Sequence, residues 1–279
     1  MKNLGYYNGK TGELEKMTIP MNDRVCYFGD GVYDATYSRN YKIFALDEHI
    51  DRIFRSAELI GIEPTLTKLQ MKELLNDLVL KMDTGENFVY WQITRGTGNR
   101  NHAFPENCKS NLWVTISPKD IVDTYKKIRL ITMEDTRFLH CNIKTLNLIP
   151  AVIASEKARQ AGCDETVFHR GERVTECAHS NVHIIKDGAF ITAPLDNLIL
   201  PGIARAHLIK ACRKLGIPVK ETPFTLKELF EADEVIVTSS GSLCLAAEEI
   251  DKKPVGAKAQ AILKSLQDEV LREFMEETK

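Results

Sequence analysis

The sequence predicts a two-domain α+β protein: a small N-terminal α+β layer over residues 1–118, a linker at 119–125, and a larger β-rich domain decorated by helices over 126–279. Three observations carry this. A chain of 279 residues is long enough for two domains of ordinary size. Its first half mixes two amphipathic helical patterns with aromatic and β-branched runs, the composition of helices laid on a sheet. Its second half is dominated by short strand-like runs punctuated by turns.

Asp47-Glu48-His49 opens a helical pattern carrying Ile50, Ile53, Phe54, Ala57 and Ile60, with Asp47 suited to the N-cap and Gly61 and Pro64 closing it. Thr67 caps a second helix with Leu74, Leu75, Leu78 and Val79 on one face. The runs 88–94 (FVYWQIT) and 112–116 are strands by their aromatic and β-branched content. The polar segment SPKDIVDTY, containing Pro118, then breaks the pattern and is the expected linker. Beyond it, 128–133 is a strand and 148–161 a helix stopped by Gly162. Strands are expected at 166–170, 173–175, 182–185 and 189–192, the last two joined by Asp187-Gly188, a strong hairpin turn. Gly202 opens a helix ending near Gly216, and Thr225 with Glu228 fits a capping box. Residues 234–238 form a buried strand, and a terminal amphipathic helix carries Ile262, Leu263, Leu266, Val270, Leu271 and Phe274.

Composition excludes several functions. With 37 Lys+Arg against 39 Asp+Glu, nothing electrostatic invites nucleic acid or an anionic membrane. No run approaches the ~18 apolar residues of a membrane span, and the start of the chain has no signal-like apolar core. Seven scattered cysteines without CxxC read as reduced thiols in a cytoplasm, not as a disulfide frame or zinc site. Walker, GxGxxG, GxSxG and HExxH motifs are absent. His179 and His183, four apart in a strand context, lack a third ligand and read as ordinary hydrogen-bonded histidines, so no metal is expected.

Three features carry possible chemistry. Lys144 lies between Ile143 and Leu146 just before a helix. Burial would lower its pKa, as a Schiff-base lysine requires; on local sequence alone a snorkelling surface lysine is the more ordinary reading. Glu176 ends a strand ahead of small polar residues and by itself reads as a surface charge. The segment from Leu200 to Arg205 leads a loop into a helix, whose free N–H groups could cradle a phosphate or simply begin a helix.

Taken together, Glu176-Cys-Ala-His-Ser-Asn181, Thr192 and Leu200-x-Gly202-Ile203-x-Arg205 resemble the signature of the class IV (fold type IV) pyridoxal-phosphate aminotransferases, with Lys144 at the position of the Schiff-base lysine. DRVCYFGDGVYD (23–34), DEHIDRI (47–53), YWQITRGTGNRNHAFPEN (90–107), CNIKTLNL (141–148) and VTSSGS (237–242) resemble matching segments of the D-amino-acid branch, in order and over nearly the whole chain. The resemblance implies pyridoxal 5'-phosphate as cofactor and transamination of a D-alanine-like amino acid with pyruvate or 2-oxoglutarate. It makes Lys144 the catalytic lysine, Glu176 the partner of the pyridine nitrogen and Arg52 the phosphate clamp. The backbone of Ile203 and Ala204 with Ser239 and Ser240 supplies the other phosphate donors, and Leu200 packs on the ring. Tyr33, with Arg100 and His102 from a second subunit of a homodimer, holds the substrate α-carboxylate. Ala204 replaces a threonine of the resembled enzymes, which implies weaker cofactor retention. Cys177-Ala178-His179 replaces a glycine-serine-serine run, putting His179 near Glu176 or the substrate, and His183 replaces an aromatic. Alternatives within the same fold are an aminodeoxychorismate lyase and a branched-chain L-amino-acid aminotransferase; a non-catalytic pyridoxal-phosphate-binding protein would leave Tyr33, Arg100 and His102 unexplained.

Overall fold

The computed structural model describes residues Met1–Lys279, which divide into two compact units. Unit 1 comprises Met1–Ile121, Ile143–Asn147 and Met275–Lys279; unit 2 comprises Val122–Asn142 and Leu148–Phe274. The expected linker at 119–125 spans the junction of Ile121 and Val122, but the short segment around Lys144 is grouped with unit 1, an arrangement that no single cut in the chain describes.

Unit 1 is built on β1 (Leu4–Tyr7), β2 (Lys10–Glu13), the short α1 (Arg24–Phe28), β3 (Gly31–Arg39), β4 (Lys42–Ile43), α2 (Leu46–Leu59), α3 (Lys68–Val79), β5 (Asn87–Thr94) and β6 (Asn111–Pro118). Its six strands form an antiparallel sheet in the order β2-β1-β6-β5-β3-β4. Alternate residues point to opposite faces. Val89, Trp91 and Ile93 of β5 and Val114 and Ile116 of β6 therefore meet Ile50, Ile53 and Ala57 of α2 and Leu75 and Leu78 of α3 in one core. α3 begins at the expected cap, Thr67, which the structure shows forming a reciprocal capping box with Gln70. α2 starts earlier than its sequence suggests. Ala45, at φ 50°, occupies the N-cap position instead of Asp47. The β3–β4 hairpin delivers buried Phe44 and Ala45 directly into the helix, and the Ala45 carbonyl accepts from His49 N at 3.1 Å. Asp47 is left in the first turn, where it complements the helix dipole and pairs with Lys72.

Unit 2 contains β7 (Lys127–Glu134), α4 (Ile149–Gln160), β8 (Glu165–Arg170), β9 (Arg173–Cys177), β10 (Asn181–Lys186), β11 (Ala189–Thr192), α5 (Ile203–Lys214), β12 (Val219–Glu221), α6 (Leu226–Glu231), β13 (Glu234–Thr238), β14 (Leu245–Ile250), β15 (Lys253–Pro254) and most of α7 (Gln260–Glu277). The strands make a nine-stranded mixed sheet, β12-β11-β10-β13-β14-β7-β8-β9, with β15 beside β14. Asp187 at φ 50° and Gly188 at φ 74° turn the β10–β11 hairpin, both in the left-handed region that a two-residue turn of this twist requires. β13 is buried along its whole length, and α6 carries the Thr225–Glu228 capping box. No helix is long and apolar enough to cross a membrane, and all seven cysteines are free thiols.

Candidate active site

Lys144 sits in unit 1 on a segment stitched to β3. Tyr33 N donates to the Lys144 carbonyl at 3.0 Å, Leu146 N donates to Gly31 O at 3.1 Å, and Thr145 bridges Val32. From the other side, Lys144 N donates to Ser56 Oγ of α2 at 3.3 Å. The side chain is half-buried, with Nζ 4.3 Å from the centroid of the Tyr33 ring. Tyr33 in turn stacks on Tyr90 of β5 at 5.5 Å. The lysine is thus fixed at its backbone and rests its ammonium on an aromatic face, which attracts a cation.

Arg52 lies one turn before Ser56 on α2. Its Nε and Nη2 donate to the two oxygens of Asp34 at 2.8 and 2.6 Å, a forked pair that fixes the guanidinium plane. His49 Nδ1 lies 2.7 Å from Asp34 Oδ1, and the whole cluster is buried. Burial favours the neutral Asp34, yet the Arg52 charge and the His49 hydrogen bond outweigh it and hold the carboxyl below its ordinary range. Burial, aided by Arg52, lowers the His49 pKa despite the opposing pull of Asp34. A neutral imidazole facing an ionised carboxylate must donate, so the proton sits on Nδ1. Arg100 and His102 lie exposed on the loop between β5 and β6, both against Phe28.

In unit 2, Glu176 is buried near the end of β9, not a surface charge. Its Oε1 accepts from Arg137 Nη1 at 2.5 Å, and its Oε2 accepts from Asn181 Nδ2 at 3.0 Å and Leu200 N at 2.9 Å. Arg137 is locked against Asp135 and lies over the Phe168 ring; the carboxylates raise its pKa against the opposing effect of burial. Asn181 also donates to the Leu200 carbonyl at 3.1 Å. A methyl group added to Gly202 would come within 2.0 Å of Asn181 Oδ1, so glycine here is a matter of close approach. Gly202 is the N-cap of α5 and no side chain caps that helix, whose first residues, Ile203 and Ala204, are buried. Asn181 pairs with Thr238, placing the Ser239–Ser240 loop at the same end of the sheet. Ser239 Oγ is 2.8 Å from Ser242 Oγ, and Ser240 is half-buried. Arg205 instead ties α5 to Thr192, Ala193 and Glu221.

The structure therefore groups Lys144 with Tyr33, sets Arg52 on the same helix as the lysine's anchor, and gathers Glu176, Leu200 and the start of α5 around Asn181. His179 directs Nδ1 to buried Glu165 at 2.8 Å, where Ser180 Oγ also donates, which accounts for its departure from the expected small residue. Cys177 and Ala178 pack into the interior. His183 lies between Thr192 and Thr238 hydroxyls at 2.8 and 2.9 Å, its pKa lowered by burial, as an ordinary hydrogen-bonded histidine. Sequence reasoning missed Asp34 and Arg137. Asp34 lies 18 positions from the arginine it fixes, and Arg137 lies 39 positions from Glu176, so neither pairing left a local signal. An uncapped helix start suits a phosphate, a fixed carboxylate oxygen suits a protonated ring nitrogen, and an anchored lysine suits an aldehyde. These donor sets fit pyridoxal phosphate.

Residues 31–250 match the family profile described as amino-transferase class IV, and the chain belongs to that family. It is 42% identical over 238 residues to a D-alanine aminotransferase of Listeria monocytogenes, covering 84% of this chain and 82% of the relative. Identity to a D-alanine aminotransferase of Staphylococcus aureus is 36% over 269 residues, 94% of this chain and 95% of the relative. The branched-chain amino acid aminotransferase of Escherichia coli superposes with a TM-score of 0.90 at 20% identity, covering 100% of this chain and 96% of the other. That of Thermoproteus uzoniensis gives 0.89 at 20% identity, covering 99% and 96%. These two likenesses establish the shared fold.

Proposed function

We propose that the chain catalyses pyridoxal-phosphate-dependent transamination between a D-alanine-like amino acid and a 2-oxo acid such as pyruvate or 2-oxoglutarate. The observation that carries this reading is Lys144, pinned between Tyr33 and Ser56 with Nζ over the Tyr33 ring, in a class IV aminotransferase. The relatives named D-alanine aminotransferase support the D-amino-acid substrate. The cofactor supplies an aldehyde that captures the amino group and a ring that takes up the electron pair when Cα loses its proton. Lys144 Nζ holds the cofactor, then takes that proton and returns it. Glu176, with one oxygen set by Asn181 and the Leu200 amide, keeps a proton on the ring nitrogen, and Leu200 covers the ring. Arg52, oriented by Asp34, and the amides of Ile203 and Ala204 with Ser239 and Ser240 hold the phosphate. Tyr33, Arg100 and His102 bind the α-carboxylate.

The active form is a homodimer in which Arg100 and His102 act across the interface. Leu148, Ile149, Val152 and Ile153 form an exposed apolar stripe at the start of α4, a surface suited to a second copy. Free thiols throughout suit a reducing cytoplasm. Incubating the holoenzyme with D-alanine and 2-oxoglutarate should release pyruvate, with little turnover of L-leucine in parallel. Preference for L-leucine over every D-amino acid tested would replace this reading with the branched-chain one.

A further inference from the structure

Arg100 and His102 are exposed and lie outside any helix or strand, a poor setting for two groups that must meet a carboxylate in fixed geometry. Their surroundings compensate. The Phe28 ring lies 5.1 Å from the His102 ring and 5.4 Å from the Arg100 guanidinium, so both groups rest on one aromatic platform. The Arg24 guanidinium lies 4.8 Å from the same ring. Arg24 is buried, and its Nη1 donates to the carbonyls of Asn101 at 2.6 Å and Ala103 at 3.3 Å, the two residues flanking His102. Its Nε donates to Asp30 at 2.7 Å, which also receives Arg95 Nε at 2.9 Å. Arg95 reaches the carbonyls of Gly61 and Ile60, both at 2.8 Å, and lies 3.5 Å from the Phe104 ring centroid beyond the pair. Every one of these contacts is within unit 1.

We infer that Phe28 and Arg24 are positioning residues that set the placement of Arg100 and His102, and through them the affinity for the substrate carboxylate. This rests on the reading that the pair binds that carboxylate. A cation held over a ring and a backbone held on both sides of His102 lose little freedom when the carboxylate arrives, which is where preorganisation raises affinity. Neither residue needs to touch substrate.

The test compares wild type with Phe28→Leu, Phe28→Tyr and Arg24→Lys, using KM for D-alanine, inhibition by propionate (a carboxylate without the amine) and cofactor affinity of the apoprotein by fluorescence titration. Phe28→Leu should raise KM and the propionate Ki together by about ten-fold, with kcat and cofactor Kd within about two-fold. Phe28→Tyr, which keeps the ring, should restore wild-type values. Arg24→Lys, which keeps the charge but loses the fork to Asn101 and Ala103, should raise the propionate Ki in the same sense and serves if the leucine variant does not fold. A wild-type propionate Ki in either folded variant overturns the inference, as does a loss of cofactor affinity as large as the rise in KM. Wild-type holoenzyme that turns over no D-amino acid overturns the functional reading itself, a result the variants cannot mimic.

Discussion

His49, Asp34 and Arg52 share one buried volume, and their protonation states follow from which charge that volume can keep. Asp34 is already paired with the Arg52 guanidinium, and burial together with that guanidinium disfavours a second cation on His49. The folded protein therefore refuses a proton that the unfolded chain accepts below about pH 6.5. With the folded pKa below the unfolded one, stability from this residue is complete at neutral pH and declines as the pH falls from about 6.5 toward the folded pKa, by at most about 1.4 kcal/mol per pH unit. His49→Asn retains a neutral donor for Asp34 without the titration. The stability advantage of wild type over His49→Asn, from urea unfolding at pH 7.5, 6.5 and 5.5, should shrink as the pH drops. An advantage that grows would show an imidazolium in the folded state. Little of this was legible in the sequence: DEHIDRI marks a helix with Arg52 on it, but the acceptor that fixes Arg52 stands on another element.

At the scale of the element, α5 shows how a helix start can be reserved. Its N-cap is a glycine without a side-chain oxygen, and the nearest amide oxygen, from Asn181, crowds that glycine instead of capping the helix. Gly202→Ala should push Asn181 from its bonds to Glu176 and the Leu200 carbonyl. Hydrogen bonds to charged groups contribute about 1.5–3 kcal/mol, so apoprotein affinity for pyridoxal phosphate should fall about ten-fold or more by equilibrium titration. Unchanged affinity would remove Asn181 from the account. Elements whose signals are local were readable: the Thr67 cap of α3, the capping box of α6 and the Asp187-Gly188 hairpin depend on residues within a few positions. The strand β14 (LAAEEI) was not, because alanine and glutamate carry weak strand propensity and its place between β13 and β7 supplies the pairing. The Asp47 cap failed for the same kind of reason, since the preceding hairpin chose the start of α2. Among the candidate site residues, Lys144 and Glu176 each read locally as a surface charge, and only the family motifs around them singled them out.

For the whole molecule, a dimer with sites completed across the interface makes a quantitative demand. Lys144→Ala and Arg100→Ala should each be inactive alone. In a mixed dimer one site carries both defects and the other neither, so random exchange of equal amounts should restore about one quarter of wild-type activity. No recovery after exchange is verified would place both residues in one subunit's site. The division of the chain has a different consequence. It passes between the units four times, and the visit at Ile143–Asn147 carries the lysine to the strand it leans on. Shuffling two homologous genes at residue 121 would therefore take β3 from one parent and the Lys144 segment from the other. Recombination at residue 121 must match sequences on both sides of the crossover, because unit 1 continues beyond it, so inheritance as one block favours breakpoints after residue 147.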